Sequence, residues 1–156
     1  MARAMDESVL RSMAKWPDVP DVYGWLSLDR RGNWLLNGER IGNQALKDFI
    51  SRNYTADSRG RWYFQNGPQR VFVALAYTPL VLRFEGEALF DHCGRPFQPE
   101  QAYLDEEGSF LMSGKPGIGL LDDRDLSQYA DRATGLPGVF RAEVPERFAF
   151  VTNPAP

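Results

Sequence analysis

Two stretches decide how this chain is read: Leu28-Asp-Arg-Arg-Gly-Asn-Trp-Leu-Leu-Asn-Gly38 and Leu104-Asp-Glu-Glu-Gly-Ser-Phe-Leu-Met-Ser-Gly114. At an offset of 76 residues, five of the eleven positions are identical, and Asn33/Ser109, Trp34/Phe110, Leu36/Met112 and Asn37/Ser113 are close exchanges. Each stretch sets Asp-x-x-Gly between apolar runs. Asp suits the first position of a type I turn because its carboxylate accepts N–H groups just ahead, and Gly suits the fourth because the chain there needs positive φ. Each stretch therefore predicts a β-hairpin, and Asp57-Ser-Arg-Gly60 predicts a third turn of the same kind. The likeness runs on: Leu46 and Phe49 match Leu126 and Tyr129 at offset 80, and Pro68-Gln-Arg70 matches Pro145-Glu-Arg147 at offset 77. The expected architecture is a duplicated hairpin, helix, hairpin unit, over residues 22–98 and 99–156, preceded by a helix and a proline-rich arm over 1–21. The fold class is α+β, mostly antiparallel β with short helices. Half a chain of this length is marginal alone, so the units share one globule and leave a seam, where ligand pockets concentrate.

Outward from these stretches, residues 5–15 predict a short helix with Met5, Val9, Leu10 and Met13 near one face, stopped by Pro17 and Pro20. Residues 22–28 predict a strand, paired through the first turn with 33–36. Asn43 is placed to cap a helix over 44–52 whose apolar stripe is Ala45, Leu46, Phe49 and Ile50, with Asn53 as its stop. Strands are expected at 61–66, near 69–77 and near 79–85, while 86–99 is weakly patterned. A further hairpin spans 102–112. Asp122 or Asp123 caps a helix near 124–130 with Leu126 and Tyr129 inward, and strands near 138–143 and 147–152 end the pattern. Trp25, Trp34 and Trp62 are expected in the core, since indole rings carry the largest apolar area.

The 156 residues are 43% hydrophobic and 13% aromatic, which excludes disorder as the main state. One Cys excludes a disulfide scaffold, and no run of about 18 apolar residues spans a membrane. The start, MARAMDESVLRSMAKW, has no apolar signal region, so the expected compartment is the reducing cytoplasm. With 18 Lys/Arg against 21 Asp/Glu the net charge is −3, which argues against duplex nucleic acid as a partner. Residues 1–83 carry 12 basic and 8 acidic side chains, and 84–156 carry 6 and 13. A basic half beside an acidic one attracts itself or a second copy, so a homodimer is one expected partner.

The strongest binding candidate is Arg59, Arg61, Tyr63 and Arg70, with Arg40, Arg30 and Arg31 nearby in the pattern. Guanidinium forks match phosphate oxygens, and an aromatic ring stacks on a base. Alternation over 61–66 puts Trp62 and Phe64 in the core and Arg61 and Tyr63 outside. The expected ligand is small and anionic, or a protein partner takes its place. Asp91-His92-Cys93 holds the only His and the only Cys, too few for a zinc site, and reads as structural. Ser113-Gly-Lys-Pro-Gly-Ile-Gly119 lacks the order of a phosphate loop and reads as a connection, and Asp122-Asp-Arg-Asp125 reads as helix capping rather than a cation loop. No cofactor, metal or catalytic residue is assigned; the second reading is a self-associating adaptor or structural protein, and the third, least favoured, an enzyme centred on Asp91, His92 and Cys93.

The run Gly24–Ile41, the helix Ala45-Leu-Lys-Asp-Phe49, then Gly60-Arg-Trp-Tyr63 and Val71-Phe-Val73, resembles a bacterial family known as domain of unknown function 1285, over about residues 22–85 with a looser echo in 100–156. This chain is shorter than that family, so the alternative is a smaller sister group of uncharacterised proteobacterial proteins. The resemblance implies a two-part α+β fold with internal duplication, a C-terminal part superficially like a pleckstrin-homology barrel, and a role in signalling with a nucleotide-like ligand between the parts. It carries no catalytic residue over. The family's Arg after the Ile-x pair is Asn43 here, and Glu106-Glu107 replaces the basic turn of the first half.

Overall fold

The Asp-x-x-Gly turns set the strands on either side of them. In the computed structural model, which describes residues 5–15, 19–132 and 134–156, Asp29 Oδ1 accepts the N–H groups of Arg31 (2.8 Å) and Asn33 (2.9 Å). The Asp29 N–H donates to the Asn33 carbonyl, and the Gly32 N–H to the Asp29 carbonyl. The same four bonds recur at Asp57 with Arg59 and Arg61, and at Asp105 with Glu107 and Ser109. They recur once more at Asp91 with Cys93 and Arg95. This fourth turn lies in the weakly patterned segment 86–99. The four turn glycines, at 32, 60, 94 and 108, have φ from +75° to +82°, which a Cβ would strain.

Helix α1 (Glu7–Lys15) precedes β1 (Val22–Leu28), β2 (Trp34–Leu36) and β3 (Glu39–Arg40). Helix α2 (Gln44–Arg52) follows, capped as expected by Asn43, whose Oδ1 accepts the Leu46 N–H at 3.0 Å. Then come β4 (Tyr54–Ala56), β5 (Trp62–Asn66) and β6 (Gln69–Leu75). These strands form one sheet in the order β3-β2-β1-β6-β5-β4, closed by parallel pairing of β1 with β6. The second sheet takes β7 (Leu80–Glu85), β8 (Ala88–Asp91), β9 (Gln101–Asp105), β10 (Phe110–Gly114), β11 (Gly117–Leu121) and β12 (Gly138–Val139), in the order β12-β9-β10-β11-β7-β8. Most pairs are antiparallel; β7 with β11 and β9 with β12 run parallel. Between β11 and β12 lie two 3₁₀ turns and helix α3 (Leu126–Tyr129), and helix α4 (Val144–Arg147) comes after β12.

The α+β, mostly antiparallel class holds, with differences in detail. Strands 80–91 belong to the second sheet, so the sheets part at residues 76–79, inside the expected 22–98 unit. The connection expected over 113–119 instead turns tightly at Gly114–Gly117 and enters β11. No hairpin closes the second half: the strand near 138–143 is two residues long, and Pro145 starts α4, where its missing N–H costs nothing. Pro145-Glu-Arg147 is therefore helical, whereas Arg70 stands in β6. Of the arm read before residue 21, Trp16, Pro17 and Asp18 lie outside the described residues.

One core joins both sheets. Leu26, Leu28, Trp34, Trp62, Phe64 and Val73 of the first pack in the same buried cluster as Leu80, Leu82, Leu111, Ile118 and Leu120 of the second. Each aliphatic chain so enclosed contributes roughly 1.5–3 kcal/mol. The Tyr54 hydroxyl crosses between sheets to donate to the Pro79 carbonyl at 2.7 Å. Trp34 and Trp62 are core residues as expected. Trp25 is not: it is 59% exposed, because Leu26, next along the strand, turns inward.

Candidate anion-binding site at the seam

The β1–β2 hairpin delivers its two turn residues, Arg30 and Arg31, to the second sheet. Arg30 Nη2 donates to Ser109 Oγ at 2.9 Å, so the two repeated turns touch. The Arg31 fork reaches Asp123 at 3.0 and 3.1 Å. Arg40, on β3, donates to Asn33 Oδ1 at 3.1 Å. Three guanidinium groups thus gather about one turn. The Asp29 carboxylate makes no ion pair with them: its hydrogen bonds go to the turn N–H groups and to Asn33 Nδ2 at 2.9 Å.

Beside this turn lies a groove of about 390 Å³, lined by Arg31 and Gly32 of the first sheet and by Val81, Arg83, Glu85, Phe90, Asp91, His92 and Gly94 of the second. Arg83 forks onto Asp125 at 3.2 Å for each bond, and Asp125 also accepts the Phe84 N–H at 3.0 Å. The Arg83 bond holds the Asp125 carboxyl below its usual range against the pull of burial, with the Phe84 N–H helping. His92 Nδ1 accepts the Val81 N–H at 3.2 Å, which leaves the proton on Nε2. Nε2 is buried without a hydrogen-bond partner, the ring standing edge-on to Trp34 and Tyr54. Burial, and then the Arg95 charge, lower the His92 pKa to about 3, so the imidazole is neutral near pH 7. A hollow of about 180 Å³ adjoins, between Arg30, Arg31, Ser109, Leu120, Asp123 and Leu126.

A larger hollow of about 670 Å³ includes Tyr77, Glu106, Glu107 and Arg141 in its lining. The Tyr77 ring has the Arg30 guanidinium at 5.0 Å and that of Arg141 at 4.9 Å, and its hydroxyl donates to Asp105 at 2.9 Å. Burial, with the Asp105 bond and charge, raises the Tyr77 pKa. Arg141 is paired with Glu107 at 2.9 Å, so two glutamates face one arginine and the wall does not favour an anion.

The residues named from sequence fall in three places. Arg61, Tyr63 and Arg70 do come together, on the outer face of the first sheet around Phe72, with Arg61 4.6 Å and Arg70 5.3 Å from its ring centroid and Tyr63 at 5.5 Å. Their charges are spoken for. Arg61 is 8% exposed rather than outside, and its Nε bonds Asp57 at 2.8 Å; Arg70 forks onto Asp21 at 2.9 and 3.0 Å. Burial pushes the Asp57 carboxyl up, but the Arg61 and Arg59 N–H groups and the Arg61 guanidinium outweigh it and hold the carboxyl low. Tyr63 lies between Arg70 and Phe72 instead of offering a free ring face. Arg59 is in the neighbouring turn. Arg40 stands on the opposite edge strand, four strands from β5, roughly 19 Å at the usual strand spacing. Arg83 and Phe90 were missed as site residues, and His92 was weighed only in the enzymatic reading with Asp91 and Cys93; the Asp-x-x-Gly spacing of Asp91–Gly94 could have placed Phe90 and His92 at a turn, but nothing local marks Arg83.

Among the described residues no helix is long and apolar enough to cross a membrane, and no three His, Cys, Asp or Glu are grouped to hold a metal ion. Against known proteins, a family model described as Protein of unknown function (DUF2946), labelled DUF2944, matches residues 5–141. No curated protein matches. A crystal structure of a DUF1285 family protein from Silicibacter pomeroyi DSS-3 superposes with TM-score 0.56 and 17% identity over 83% of this chain and 80% of that one. Another, from Shewanella baltica OS155, gives 0.52 and 16% over 68% and 90%. The resemblance drawn from residues 22–85 thus holds at the level of the fold.

Proposed function

This chain belongs to DUF2944, a family of unknown function, and from that premise we propose that it is a non-enzymatic binding protein that takes a small, phosphate-bearing ligand of nucleotide size at the seam between its sheets. One observation carries the reading: Arg31 from one sheet and Arg83 from the other line a single groove of about 390 Å³. That size is within the range of small-molecule sites. Arg31 is paired with Asp123 and Arg83 with Asp125, and Glu85 and Asp91 stand in the same wall, so a phosphate competes with carboxylates for both forks; the Arg31–Asp123 pair, more than half exposed, is the one that yields. Phe90 supplies an apolar wall, Gly32 and Gly94 present bare backbone, and Arg30 and Arg40 add positive charge at the rim. The groove draws Arg31, Gly32, Val81 and Arg83 from the basic half of the chain and Glu85, Phe90, Asp91, His92 and Gly94 from the acidic half, so both halves would contact the ligand. The buried Cys93 thiol supports a reducing, cytoplasmic setting. A signalling role is part of the same reading, since a binding protein without chemistry acts through occupancy.

The test is calorimetric titration of the full chain with pyrophosphate and with adenine and guanine nucleotides. At least one should bind, and Arg31→Ala should weaken it tenfold or more while Arg59→Ala leaves it unchanged. Silence from every anion, or binding indifferent to Arg31→Ala, overturns the proposal.

A further inference from the structure

The outer face of the first sheet carries an arginine whose every bond is aimed at one task. Arg61 Nε is fixed by Asp57 at 2.8 Å, its guanidinium lies 4.6 Å over the Phe72 ring, and Nη1 donates at 3.3 Å to the Tyr23 hydroxyl. Tyr23 in turn stacks on Phe72, centroids 4.8 Å apart and planes 2° from parallel. What remains of Nη1 points at a carbonyl: that of Ala155, at 3.0 Å, in the segment Asn153-Pro-Ala-Pro156. This segment is loosely held. The chain is anchored up to residue 152, by the Val151 N–H on the Gly60 carbonyl and the Leu75 N–H on the Thr152 carbonyl. Beyond that, among the described residues, the Arg61 bond is the hydrogen bond that holds it, and Asn153, Ala155 and Pro156 are exposed.

A rigid donor set in aromatic rings, reading a carbonyl between two prolines, is the chemistry by which extended proline-containing peptides are recognised. Prolines fix φ, so such a peptide loses little entropy on binding. The donor is held by Asp57 whether or not Pro154-Ala155-Pro156 is seated. When that segment lifts away, the Arg61 guanidinium, still fixed by Asp57 and Tyr23, is left facing solvent as a preoriented donor for a carbonyl of the same kind. We infer that this face is a docking surface for a Pro-x-Pro segment of a protein partner, and that residues 153–156 occupy it in cis as a competing strap. The inference is independent of the seam groove, which lines none of these side chains.

The experiment keeps the full chain and weakens the strap with Pro154→Gly/Pro156→Gly. The probe is a fluorescein-labelled peptide with the sequence of residues 150–156, followed by fluorescence polarisation. The expected result is binding at least fivefold tighter to the strap variant than to the parent, and loss of that gain when Arg61→Lys is added or when both prolines of the probe are replaced by glycine. Should Arg61→Lys fail to fold, Tyr23→Phe in the strap variant should still weaken the probe severalfold. Equal affinity for parent and strap variant, no binding to either, or indifference to both Tyr23→Phe and the glycine probe overturns the inference. Sedimentation of the parent as a dimer that the strap variant lacks makes a second copy the occupant and overturns it as well.

Discussion

The turns at Asp29 and Asp105 share every backbone hydrogen bond and differ in everything displayed on them. One carries Arg30-Arg31 and the other Glu106-Glu107, and they meet through Arg30 and Ser109. Asp and Gly write the turn; the two residues between them are free for surface chemistry. The remaining copies extend the comparison. At Asp57 the turn is packed beneath residues 149–150, and at Asp91 its second residue, His92, enters the aromatic core. One local code thus serves two open sites and two enclosed ones.

The glycines offer the sharpest way to break that equivalence. A Cβ on Gly60 would stand 2.1 Å from the Ala149 carbonyl oxygen, on Gly32 2.7 Å from His92 Cβ, and on Gly94 or Gly108 in open space. Gly60→Ala should cost about 4 kcal/mol, a backbone clash added to the strain of positive φ, and Gly94→Ala and Gly108→Ala about 1 kcal/mol each, with Gly32→Ala between. Urea denaturation of the four variants checks the order; equal losses would show that conformation, not surroundings, sets the cost.

The aspartates rank next. Asp105 is buried and accepts the Tyr77 hydroxyl besides its turn N–H groups, whereas Asp29 is only half-buried. Asp105→Ala should therefore lose about 3 kcal/mol and Asp29→Ala about 1–2 kcal/mol. Similar values would mean that the Tyr77 bond contributes nothing.

The Asp91 copy carries a pH signature the others lack. Burial lowers the His92 pKa to about 3 in the fold against the ordinary imidazole value of about 6.5, so protonation favours the unfolded chain. Its stabilising term is complete above pH 6.5 and falls by up to about 1.4 kcal/mol per pH unit as the pH drops from 6.5 toward 3. Asp57 and Asp125, held low, add losses only as the pH falls below the ordinary aspartate value of about 3.9. Thermal melts should thus weaken already between pH 6.5 and 5, and His92→Phe should flatten that range while leaving the steeper acid limb.

The smallest effect belongs to the Arg31–Asp123 pair. Both side chains are more than half exposed, so Arg31→Ala should change stability by about 0.5 kcal/mol or less. A larger loss in a melt without ligand would make the basic turn a structural strut instead of an open site.

These contrasts also mark what could be read in the residues beforehand. Turn chemistry is local, so Asp29, Asp57 and Asp105 announced their hairpins, and Asn43 announced its helix. Arg61 was placed outside because strand alternation sees only one strand; its burial comes from Asp57, Tyr23 and residues 151–155, which the fold brings from elsewhere. The Arg31–Arg83 groove was illegible for the same reason: its two cations are 52 residues apart and meet only across the seam. Pro145 was read by likeness to Pro68, when its position at a helix start was the deciding physics.

The parallel pairing inside each sheet has a consequence for how the chain is made. Val22 aligns with Val71 and Leu28 with Leu75, and Leu80 with Gly119. Neither sheet can close until a partner roughly forty to fifty residues later has been synthesised, and such distant pairings slow folding. During translation the first three-stranded meander waits with its Leu26 and Trp34 faces uncovered, which makes that interval the one in which the nascent chain most needs shelter from aggregation.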